Sequence, residues 1–173
     1  MKPTTPAQVE DFSGSKAVEK IRQMAKAARS CLFGTMHDRH SLDVRPMAVQ
    51  EVDDTGCLWF LSGRSSNKNH RLEHDVHVQL LFANPGASEY LSLVGRASVS
   101  DDRMLREKFW TPMAKTWFPG GVDDPELTVI GVIVQEGRYW DTVHGKAVTM
   151  LKIAAGAVTG HNPGIGVEGS VRP

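Results

Sequence analysis

Between residues 31 and 99 the chain alternates short apolar runs with turn residues so regularly that a hairpin-built sheet is the architecture it best accommodates. The runs are 31–36, 42–52, 57–61, 76–83 and 89–99. Asp53-Asp54-Thr55-Gly56 separates the second from the third, and Asn84-Pro85-Gly86 the fourth from the fifth. A sixth run at 127–134, LTVIGVIV, is the most hydrophobic. The fold class expected is mainly β with flanking helices, in an antiparallel barrel or sandwich.

Ahead of the first run, Val18, Ile21, Met24, Ala25 and Ala28 recur at spacings of three and four, which predicts an amphipathic helix from residue 15 packed on the sheet. A helical insertion is expected over 101–117. Its Trp110, Trp117 and Phe118 fall at spacings suited to one aromatic face. A last helix is expected over 146–158. The division predicted is an arm at 1–14, one domain at 15–158 and a flexible glycine-rich tail at 159–173.

Twenty basic and twenty acidic residues cancel, so no bulk field recommends nucleic acid or an anionic membrane as a partner. No stretch approaches the ~20 apolar residues of a membrane span. Cys31 and Cys57 sit in apolar runs as small hydrophobes, and a reducing cytoplasm is the expected setting.

The chemistry concentrates at 57–72, CLWFLSGRSSNKNHRL. An apolar strand stops at Ser62 and Gly63 and gives way to Arg64, Ser65, Ser66, Asn67, Lys68 and Arg71 on a turn and short helix. Hydroxyls, amides and cations at a helix start suit an anion, above all a phosphate. The same residues also suit an ordinary connection with a capping serine and solvated cations. Arg45 in mid-strand asks for a partner, unless it faces solvent on an edge, and Pro46 beside it marks that strand as an edge.

Two motif matches are set aside. His70-Arg71-Leu72-Glu73-His74 spells H-x-x-E-H, but the helix available is too short to support a zinc site, so no metal is expected. The G-x-G-x-x-G of 164–169 has no helix to open.

Taken together, SLDVRPMAVQEVDDTGCLWFLSGRSSNKNHRL, EYLSLVGRASVSDDRMLREKFWTPMAKTWFPGGVDDPELTVIGV and YWDT resemble the pyridoxamine phosphate oxidase-like FMN-binding split-barrel superfamily. The nearest likeness is to its general stress protein branch. The resemblance implies a split β-barrel, FMN as cofactor with FAD as the alternative, and a homodimer with flavin at the subunit interface. It implies that Arg45, Pro46 and Met47 lie along the flavin, and that Phe60, Leu61 and Ser62 line the site. By the same resemblance Ser66, Asn67 and Lys68 grip the phosphate. Asn67 stands where the oxidases carry arginine, which leaves one contact weaker or supplied by Arg64. Trp140 matches an aromatic contributed across the dimer, and Trp110 and Trp117 are candidates for covering the ring. The C-terminal Arg-Leu-x-Pro type segment of the oxidases has no counterpart, so pyridoxamine phosphate oxidation itself is not implied. The expected activity is flavin-dependent oxidoreduction of a small molecule with no catalytic side chain; the alternative is a flavin-binding stress or sensor protein without turnover.

Overall fold

In the computed structural model, which describes residues 8–37, 41–142 and 166–173, one helix packs its apolar face on a ten-stranded sheet. That helix, α1 (Gly14–Ala28), buries Ala17, Val18, Ile21, Met24 and Ala25, the side that its three-and-four spacing selects. Around it the chain runs β1 (Gln8–Val9), β2 (Phe12–Ser13), β3 (Ser30–Met36), β4 (Leu42–Ala48), β5 (Glu51–Val52) and β6 (Leu58–Gly63). Helix α2 (Asn67–His74) follows, then β7 (His77–Asn84), β8 (Glu89–Ser100), α3 (Arg103–Phe109), β9 (Leu127–Thr142) and β10 (Gly166–Arg172).

The sheet order is β1-β10-β9-β8-β7-β3-β4, with β6 also on β9 and β5 on β6. Pairing is antiparallel except where β1 and β2 run parallel to β10, and the sheet does not close into a barrel. Strand β9 explains the split. Along one flank it pairs with β8 from Val129 to Trp140. Along the other it pairs first with β6 (Leu127 to Val132), then with β10 (Gly137 to Thr142).

Phe33, Leu58, Phe60, Leu80, Leu91, Leu93, Ile130, Val132 and Tyr139 make the core with α1. Each side chain of that size adds about 1.5–3 kcal/mol when fully buried. An exposed pair such as Arg22–Glu19, at 2.8 Å, adds about 0–1 kcal/mol. Apolar burial therefore sets the architecture. As Pro46 predicts, β4 ends the strand path.

Three expectations need correcting. Residues 8–13 belong to β1 and β2 rather than to a loose arm, and 166–172 form β10 rather than a flexible tail. The glycines concealed that strand: a Cβ on Gly169 would lie 1.9 Å from the Glu10 carbonyl oxygen, so a bare backbone is what lets the two chain ends meet. The insertion is not one helix. Asp102 caps α3 by accepting from Met104 N–H at 2.7 Å, and α3 stops at Phe109. Thr111 is extended before Pro112, which opens a 3₁₀ turn (Pro112–Thr116). The helix expected at 146–158 lies outside the described residues.

Candidate anion site between β4 and α2

Along β6 the faces alternate, and that alternation sorts the candidates. Phe60 is fully buried against Phe33 in the core, so its side chain lines no site. Leu61 turns to the opposite face, where with Trp110 it packs on Ala114, Phe118 and Leu127. Ser62 points inward again and is buried at the start of α2.

There a polar network closes on itself. Ser62 Oγ donates to Asn69 Oδ1 at 2.6 Å, Asn69 Nδ2 donates to Thr128 Oγ1 at 3.0 Å, and Thr128 Oγ1 donates to the Ser62 carbonyl at 2.8 Å. Ser66 caps α2 by accepting from Asn69 N–H, and its hydroxyl also reaches Asn69 Oδ1 at 3.3 Å. The Ser62 hydroxyl is thereby committed to holding β6 and α2 together. Asn69 and Thr128 escaped the sequence-based selection. Asn69 carried a local signal, three residues past a capping serine, whereas Thr128 lies on β9 with none.

The cations gather beside this network. Arg45 and Asp43 face the inner side of β4; Arg45 donates to Thr35 Oγ1 at 2.9 Å and pairs with Asp43 at 2.5 Å. From α2, Arg71 Nε lies 3.1 Å from Asp43 Oδ2, and its guanidinium meets His37 Nδ1. Burial pulls the Arg45 pKa down; Asp43 opposes that shift, and the Arg71 charge reinforces it. Lys68, half-buried on α2, is lowered first by burial and then by the charge of Arg45. No carboxylate offsets either effect on Lys68 among the described residues. Arg45 and Arg71 thus share Asp43 as counter-charge, with Lys68 near enough to feel the Arg45 charge, a donor set of the kind that suits an anion.

Other candidates lie elsewhere. Arg64 turns away to the Pro125 carbonyl at 2.9 Å and Asp101 at 3.3 Å, so it does not stand in for the arginine absent at 67. Asn67 is exposed. Met47 is buried in the core, and Trp117 is 68% exposed and apart from Phe118, which is buried, so the insertion has no single aromatic face. Pro46 and Trp140 line the same groove: with Leu32, Leu81 and Tyr90 they border about 350 Å³ on the outer face of the sheet. Since β4 is an edge strand, this groove and the inward-facing Arg45 stand back to back at its end of the sheet. His70 faces Glu73 at 3.8 Å across one turn of α2. No helix among the described residues is long and apolar enough to cross a membrane.

Among known proteins, the chain is 29% identical over 155 residues to protein bli-3 of Neurospora crassa, covering 82% of this chain and 74% of that one. It is 26% identical over 80 residues to general stress protein 26 of Bacillus subtilis, covering 43% of this chain and 56% of the relative. Among solved structures, a general stress protein 26 from Jannaschia sp. CCS1 superposes with a TM-score of 0.73 at 25% identity, over 90% of this chain and 97% of that chain. The general stress FMN/FAD binding protein of Xanthomonas citri superposes at 0.62 and 22% identity, over 71% and 89%. The family model for pyridoxamine 5'-phosphate oxidase-like proteins matches residues 16–164. The chain therefore belongs to the pyridoxamine 5'-phosphate oxidase-like family.

Proposed function

We propose that the protein binds a flavin, FMN foremost with FAD as the alternative, and acts as a flavin-dependent oxidoreductase on a small molecule. The observation that carries this is Lys68 of α2 beside Arg45 of β4: burial and the Arg45 charge disfavour the Lys68 ammonium, and burial disfavours the Arg45 guanidinium by more than Asp43, 2.5 Å away, offsets. Two cations are kept in such a place when an anion completes them, and a phosphate monoester has the charge and acceptors to do so. The donor set fits the phosphate end of FMN. The solved relative from Xanthomonas citri, described as FMN/FAD binding, supports the same ligand class.

A bound flavin supplies the electron transfer; the chain supplies charge, orientation and shelter. Arg45 and Lys68 fix the phosphate. The outer groove of Pro46, Leu32, Leu81, Tyr90 and Trp140 is the apolar flank on which a second protomer closes, giving a homodimer with flavin at the interface.

Absorbance and mass spectrometry of the purified protein identify the flavin, and calorimetry with added FMN measures its affinity. A colourless protein that does not bind FMN overturns the proposal. Reduction by NADH or NADPH followed by reoxidation with an acceptor tests turnover. Rapid cycling supports the oxidoreductase, whereas tight binding without cycling leaves a flavin-binding stress or sensor protein.

A further inference from the structure

We infer that Arg71 is a third phosphate-binding cation, taking over from the next turn of α2 the place that Asn67 leaves without charge. This rests on the flavin assignment and deepens it. Residues 67 and 71 are four apart on α2 and share a face, so a cation at 71 covers the ground of one at 67. Its guanidinium shares Asp43 with Arg45: Arg45 lies 2.5 Å and Arg71 3.1 Å from the same carboxylate oxygen.

The Arg71 contact is incomplete. Nε is buried within ion-pair range of Asp43, but no hydrogen bond aligned in direction satisfies it. The other polar partner of Arg71 among the described residues is His37 Nδ1, a ring nitrogen that brings no negative charge. Among the described residues, Arg45, Lys68 and Arg71 carry three positive charges and Asp43 one negative, which leaves two positive charges uncompensated there. A phosphate monoester carries about −1.5 to −2 near neutral pH and closes that imbalance. Without Arg71 the cluster falls one charge short. Asp43 also keeps the Arg45 and Arg71 forks in place until the phosphate arrives.

Titrating FMN and riboflavin, which differ by the phosphate, into wild type, Arg71→Gln and Arg64→Gln tests this directly. Arg71→Gln should weaken FMN binding on the order of ten- to a hundred-fold and leave riboflavin affinity unchanged. Arg64→Gln should leave both unchanged. Adding Asn67→Arg to Arg71→Gln should restore FMN affinity. Equal FMN affinity in wild type and Arg71→Gln overturns the inference while the flavin site stands. Parallel loss of FMN and riboflavin also overturns it, because the role of Arg71 would then be structural. Wild type that binds neither compound removes the flavin assignment itself.

Discussion

Ser62 Oγ donates to Asn69 Oδ1 at 2.6 Å, and through that bond the end of β6 is fastened to the first turns of α2. Both residues are buried, and Asn69 also serves Thr128 and the Ser66 cap. The cations of α2 owe their position to a neutral network that touches none of them.

Asn69→Ala should therefore destabilise the fold by roughly 1–3 kcal/mol for each buried group left unpaired. Urea unfolding should show a lower midpoint, and FMN binding should weaken with it although Asn69 carries no charge. An unchanged midpoint would mean that solvent replaces the network at no cost.

Lys68 predicts a trade between stability and binding. A lysine with a lowered folded-state pKa binds fewer protons than the unfolded chain in the alkaline range. Its contribution to stability is therefore recovered as pH rises toward the ordinary value of 10.5 and lost as pH falls through the lowered one. Cys31 opposes it: burial pushes that thiol up to about 12, so stability is lost as pH rises above about 9. The comparison of wild type with Lys68→Met isolates the lysine. At neutral pH the ligand-free variant should be the more stable, the gap should narrow toward pH 10.5, and FMN affinity should fall at least tenfold. Equal stability at both pH values would place the Lys68 ammonium in open solvent.

Gly169→Ala should disrupt the junction of the chain ends. The added Cβ meets the Glu10 carbonyl oxygen at 1.9 Å and the Tyr139 ring at 3.1 Å, and the first of these is backbone that has no rotamer to escape by. Overpacking of this kind costs typically 1–3 kcal/mol, enough to lower Tm by several degrees. A Tm within a degree of wild type would show that β1 and β10 separate freely.

Leu81→Glu tests the outer face. Leu81 lies opposite Leu32 in the β3–β7 register, and Leu32 opposite Pro46 in the β3–β4 register, so one carboxylate enters the middle of the apolar groove. Light scattering should give wild type twice the 19.0 kDa chain mass and the variant a single chain, with weaker flavin retention. A dimeric variant would move the interface to another surface.

Much of this architecture is legible in the sequence because its cues are local. The spacing of Val18, Ile21, Met24 and Ala25 gives α1, the turn Asp53-Asp54-Thr55-Gly56 divides two strand runs, and Pro46 marks the edge. The candidate site is legible in part: Lys68 lies near enough to Arg45 to feel its charge and Ser66 caps α2, while Arg64 leaves for Pro125 and Asp101. Thr128 reaches Asn69 across 59 positions, a pairing that only the folded sheet creates. Strand β10 stayed hidden because glycine reads as flexibility wherever its reason, here the Glu10 carbonyl, sits far away in the chain.

Strand β10 also acts as a guard. Six residues of β9, Gly137 to Thr142, find their partners on it, and β1 and β2 then cover its far side. A chain clipped by a protease before Gly166 would bare those peptide groups as a docking rail for any extended segment nearby. The glycine-rich end that looks expendable is thus what gives that half of β9 its partner on this flank.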